Sequence, residues 1–98
     1  MPEIAEYDLD ETKPQSVTLD CGKERQLVEI YAKADVATDF YLDVSVDGQH
    51  WILAHKYATA TTEWKEGFWN TYRFLRLRSK AAGSVGNKVT LILLSIGV

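Results

Sequence analysis

The alternation of apolar and polar residues over positions 40–47 limits this chain more than any other feature. Phe40, Leu42, Val44 and Val46 fall on one side of a period of two, and Tyr41, Asp43, Ser45 and Asp47 on the other. That pattern describes an extended strand with one buried and one wet face. Asp47-Gly48 follows at once, and glycine takes the positive φ that a tight hairpin needs. The chain is expected to reverse there and return along residues 51–57. It belongs with antiparallel β proteins, in which binding usually falls to loops at the sheet ends.

Further strands follow from the same reasoning. Val17 and Leu19 alternate with Thr18 and Asp20, and Cys21-Gly22-Lys23 marks a turn. Val28, Ile30, Ala32 and Ala34 share one face, with Leu27, Glu29, Tyr31 and Lys33 on the other. Residues 35–39 read as a short connection, and the Thr/Ala-rich stretch 58–62 as a break before the aromatic segment 64–69. Leu75 and Leu77 oppose Phe74, Arg76 and Arg78. Residues 81–87, with Gly83 and Gly86, read as a flexible loop. The last strand, 89–96, is apolar on both faces, which suits a central or covered position. Six or seven short strands without helical periodicity predict an all-β, antiparallel two-sheet β-sandwich. Its body is residues 16–98, a single domain. Residues 1–15, which carry both prolines, read as an acidic N-terminal arm, either a solvated tail or a segment docked on a neighbour through Ile4, Tyr7 and Leu9.

Charge and cysteine content narrow the partners. The net charge is −3, which argues against nucleic acid. Residues 1–15 hold five acids and one base, and the remainder nine acids and ten bases, so the body is nearly neutral. Cys21 is the single cysteine; no intrachain disulfide or cysteine-based metal site is possible. The N-terminus has no signal-peptide pattern. The longest apolar run, 91–94, falls far short of the roughly 20 residues that span a bilayer. A virion or cytoplasmic setting is expected.

No catalytic constellation emerges. His50 and His55 have no spacing partner for a triad or a metal, and the loop glycines lack the Lys-Ser/Thr sequel of a phosphate loop. We therefore expect no enzyme activity, no cofactor and no metal. Two groups stand out as ligand or interface candidates. Trp64, Phe68, Trp69 and Tyr72 crowd around an expected turn at Gly67; they suit a plug at the end of the core, an interface anchor or a platform for sugar rings. Arg76 and Arg78 share a strand face and suit pairing with acids such as Asp43, Asp47 or Glu29, or capture of an anionic ligand or a neighbour's acidic arm. Trp51 is expected in the core.

Three motifs in order resemble one known family. Residues 17–25 followed by Val28 and Ile30, the Val44-Ser45-Val46-Asp47-Gly48 hairpin ending in Trp51, and Arg73-Phe74-Leu75-Arg76-Leu77 are similar to segments of discoidin (coagulation factor 5/8 type C) domains. The resemblance covers about residues 17–96. It implies a galactose-binding-like jelly roll, with sugar, lipid or protein binding as the family's range. Discoidin domains are usually longer and often carry cysteines near both ends, unlike this chain. Their ligand contacts lie on variable loops, so no binding residue carries over.

Two functions are expected to compete. One is a non-enzymatic assembly protein, a structural component of a viral particle such as a capsid, decoration or tail subunit, partnered by copies of itself or other subunits. The other is a discoidin-like carbohydrate-binding module. The lack of a signal peptide and of disulfides, and a bare domain with an arm, favour the first.

Overall fold

The computed structural model describes the backbone of residues 2–8, 16–22, 26–80 and 88–97, with side chains over 16–22, 26–80 and 88–95. The described residues are all β, with no helix among them. The strands are β1 (Pro2–Asp8), β2 (Ser16–Asp20), β3 (Gln26–Ser45), β4 (Trp51–Asn70), β5 (Phe74–Ser79) and β6 (Lys88–Gly97). They form one antiparallel hydrogen-bonded sheet in the order β1-β6-β3-β5-β2, with β4 paired to β3 off that path.

β3 organises everything else. It pairs with β4 along its whole length on one side; on the other, residues 27–34 pair with β6 and residues 40–45 with β5. Its even-numbered apolar residues Val28, Ile30, Ala32 and Ala34, then Phe40, Leu42 and Val44, are buried, and Val36 is partly so. Because parity is kept across residues 35–39, both halves of β3 present the same face to the core. Leu75 and Leu77 of β5, Val89, Leu91 and Leu93 of β6, Val17 and Leu19 of β2, and Cys21 complete that core. Burial of each large aliphatic group contributes about 1.5–3 kcal/mol.

The β3–β4 hairpin folds back on itself. Lys56 Nζ lies 3.5 Å from Glu66 Oε1, although ten residues of straight strand would separate them by roughly 33 Å. The bend falls where the pairing of β3 with β4 shifts register, between Lys33 and Phe40 on β3. Ala54 and Ala60 take φ of 52° on either side of Lys56, and each has its N–H held at 2.8 Å by an aspartate of β3, Asp43 Oδ1 and Asp39 Oδ1 respectively. β2 touches β6 and β1 while pairing with neither.

Several expectations change. Residues 35–39 and 58–62 are not connections: β3 and β4 run through them, with bulges in place of breaks. Gly67 sits in a strand opposite Glu29, not in a turn. Residues 2–8 of the expected arm form β1, paired in register with β6; residues 9–15 lie outside the described residues, as does the expected loop 81–87. β6 is central, between β1 and β3, as its two apolar faces predict. The hairpin reverses at residues 46–50 with Gly48 at φ 80°. Asp47 Oδ1 accepts the N–H groups of Gln49 and His50 at 2.8 Å, and Ser45 Oγ accepts that of Gly48 at 2.9 Å. This side-chain scaffold makes a five-residue loop rather than a two-residue turn.

Candidate functional site

The outward face of β3 should be wet, yet Asp43 and Ser45 are buried. Neighbouring strands explain this. Antiparallel register places Tyr41 opposite Arg78 and Asp43 opposite Arg76 on β5, and Ser45 opposite Trp51 on β4. Four long side chains, those of Tyr41, Trp51, Arg76 and Arg78, therefore surround one short carboxylate.

Asp43 is saturated. Its Oδ2 accepts Arg76 Nε at 3.0 Å and Arg78 Nε at 2.8 Å, with Arg76 Nη2 as an ion-pair contact at 3.0 Å; its Oδ1 accepts Arg78 Nη2 at 3.3 Å and the Ala54 N–H at 2.8 Å. Burial pushes the carboxyl pKa up, but the bonds from Arg78, Ala54 and Arg76 outweigh it and hold the group below the ordinary carboxylate range. Each guanidinium also lies over a ring: Arg76 is 4.2 Å from the Trp51 centroid and Arg78 is 4.4 Å from that of Tyr41. Such contacts add about 0.5–1 kcal/mol at exposed sites and more when water is excluded. The motif repeats beside it: Arg73 bonds Asp20 at 3.1 and 3.3 Å and lies 4.8 Å from the Phe74 centroid.

Chemically, this is a preorganised cationic face. One carboxylate serves two guanidiniums, leaving a surplus of one positive charge. Asp43 engages Nε and Nη2 of each arginine; Nη1 of each is not among its donors, and the two side chains remain 26% and 30% exposed. On β2, Thr18 and Ser16 stand opposite Arg76 and Arg78 with exposed side chains. Among the described residues, no group of three or more His, Cys, Asp or Glu could hold a metal ion.

The expected aromatic cluster divides. Trp64 and Phe68 pair with Ala32 and Val28 and pack, half-buried, against the core, as does Tyr72. Lys56 covers Phe68 at 5.0 Å, and His55 meets Tyr72 edge-on with centroids 5.3 Å apart. Trp69, opposite Leu27, is 51% exposed. Arg76 and Arg78 join Asp43, Tyr41 and Trp51; Trp64 and Phe68 pack with the core face instead. Trp51 is not a core residue but lies half-buried on the outward face under Arg76. Asp43, Tyr41 and Trp51 belong to the site though the sequence did not single them out as binding groups. The readable signal was an aspartate beside a tyrosine on one strand face, opposite an Arg-x-Arg strand.

No protein-family model and no curated protein matches the chain.

Proposed function

We propose that this chain is a non-enzymatic β-sandwich of jelly-roll type that serves as a structural subunit of an assembled particle, such as the capsid, decoration or tail of a virus. In that sandwich, β1, β6, the first half of β3 and the end of β4 would face β2, β5, the second half of β3 and the start of β4. Support comes from the shared buried parity of the two halves of β3 and the Lys56–Glu66 contact across the fold.

The observation that carries the assembly reading is the outer edge of β4. This 20-residue strand pairs only with β3 among the described strands. Residues 63–70 follow β3 in unshifted register, so their far side is a straight row of backbone donors and acceptors. Ile52, Leu53, Tyr57 and Trp69 on the same strand are all more than half exposed. A long apolar edge of this kind is a template for pairing with another chain. The bulges at Ala54 and Ala60 interrupt only its first part.

Light scattering after size exclusion tests the reading. The wild type should run as a multiple of 11.1 kDa, and Tyr57→Lys with Trp69→Lys should shift it toward the monomer. A wild type that stays monomeric at the highest concentration reached refutes assembly. The exposed rings of Tyr57 and Trp69 favour the second reading, a discoidin-like glycan-binding module, and a glycan array would then identify it.

A further inference from the structure

The two ends of the strand order carry opposite charge. β1 at one end contributes Glu3, Glu6 and Asp8, and residues 1–15 together carry five acids against one base. Near the other end, β5 presents Arg76 and Arg78, whose joint charge Asp43 only half neutralises. The guanidiniums are already oriented by Asp43, Trp51 and Tyr41, so a second carboxylate would find donors fixed in place, at little further cost in side-chain freedom. Ser16 and Thr18 add exposed hydroxyls opposite them on the neighbouring strand.

Resting on the assembly reading, we propose that the Arg76–Arg78 face, with Ser16 and Thr18, receives the carboxylates of the acidic N-terminal strand of a second copy. The partner is fixed by charge complementarity: this chain makes both the acidic strand and the cationic face. Each copy then offers one donor end and one receptor end. Such a contact closes reciprocally into a two-fold dimer or, made head to tail, grows into a ring or a filament. Single exposed ion pairs are weak, so several must act together, and association should weaken as salt rises.

Removing Arg76 or Arg78 would strand the buried Asp43, so the test changes other positions. Ser16→Glu with Thr18→Glu places carboxylates on the receptor face. Glu6→Lys with Asp8→Lys reverses the acidic strand at positions in register with Thr90 and Lys88. Sedimentation of the full chain should show each double variant associating roughly tenfold more weakly than wild type. An equimolar mixture should associate more tightly than either double variant alone, because one variant keeps its acidic strand and the other its receptor face. A mixture that associates no more tightly than the separate variants, while the wild type associates, overturns this contact and leaves the assembly reading standing. A monomeric wild type removes the assembly reading itself. Binding of heparin to wild type, lost in Ser16→Glu/Thr18→Glu, alongside a mixture no tighter than its components, would assign the face to a foreign polyanion and also overturn the proposal.

Discussion

Asp43→Asn is the substitution whose cost follows most directly from the geometry. The amide keeps the shape of the carboxylate, and its oxygen still accepts the Ala54 N–H, so the bulge survives. What disappears is the negative charge between Arg76 and Arg78. Removing one partner of a buried ion pair costs about 3–5 kcal/mol. Here the stranded guanidiniums are 26% and 30% exposed and regain some water, which puts the loss near 3 kcal/mol on that scale. For a domain of this size, each kcal/mol moves the midpoint by about 4–8 °C, so the melt should fall by roughly 12–24 °C. Circular dichroism at neutral pH measures it. The sign with pH follows from the depressed pKa of Asp43: its stabilisation is complete above the unfolded carboxylate value of about 3.9 and is lost as pH falls through the folded value. The gap between variant and wild type should therefore close in acid. A neutral-pH midpoint within about 2 °C of wild type, a shift worth well under 1 kcal/mol, would refute the account of Asp43 as the clamp of this face.

Three other outcomes are expected. Gly48→Val should destabilise by about 1–3 kcal/mol, because φ is +80° and a Cβ there would stand 3.2 Å from Phe74 Cε2; an unchanged denaturant midpoint would remove the turn's constraint. Ala60→Gly should raise stability slightly, by about 0.5 kcal/mol, since relief of left-handed strain at φ 52° exceeds glycine's added unfolded-state entropy; a lower midpoint would mean that the bulge is unstrained. Asp39→Ala should cost about 1–2 kcal/mol by freeing the Ala60 N–H it holds at 2.8 Å and the Tyr41 hydroxyl that donates to it at 3.2 Å, read as faster hydrogen exchange at Ala60.

The core was legible because its rule is local: alternate residues of a strand share a face, so Val28 to Val44 could be assigned without knowing their partners. The ion pairing of Arg76 with Asp43 was legible for the same reason, as opposite charges on facing strands. What escaped depends on partners distant in sequence. Residues 58–62 read as a break since small polar residues carry no periodic signal, yet Asp39, twenty-one positions earlier, holds them in the ladder. Positive φ at Ala54 and Ala60 left no glycine to mark the bulges, while Gly67 suggested a turn where none exists; a Cβ there would meet only ordinary contacts. Trp51 looked like core because the matching position of the resembled discoidin hairpin is apolar, but its pairing with Ser45 puts it outside, where Arg76 covers it. The acidic residues of β1 hid a strand, as charges commonly do at a sheet edge.

The strand order has a consequence for how the chain comes into being. Among the described strands, β1 pairs with β6 alone and β2 with β5 alone, so of these six strands the two made earliest depend on the two made latest. The β3–β4 hairpin, by contrast, closes on neighbours in sequence and can form as soon as residues 26–70 are out. Synthesis therefore produces a nascent chain whose middle is ordered while its beginning waits, with the apolar groups of β2 uncovered until residues 74–97 emerge. Domains built from such non-local pairings fold slowly and are most prone to aggregation during that interval. A chain released before β5 should leave both N-terminal strands without partners, however well its hairpin is made.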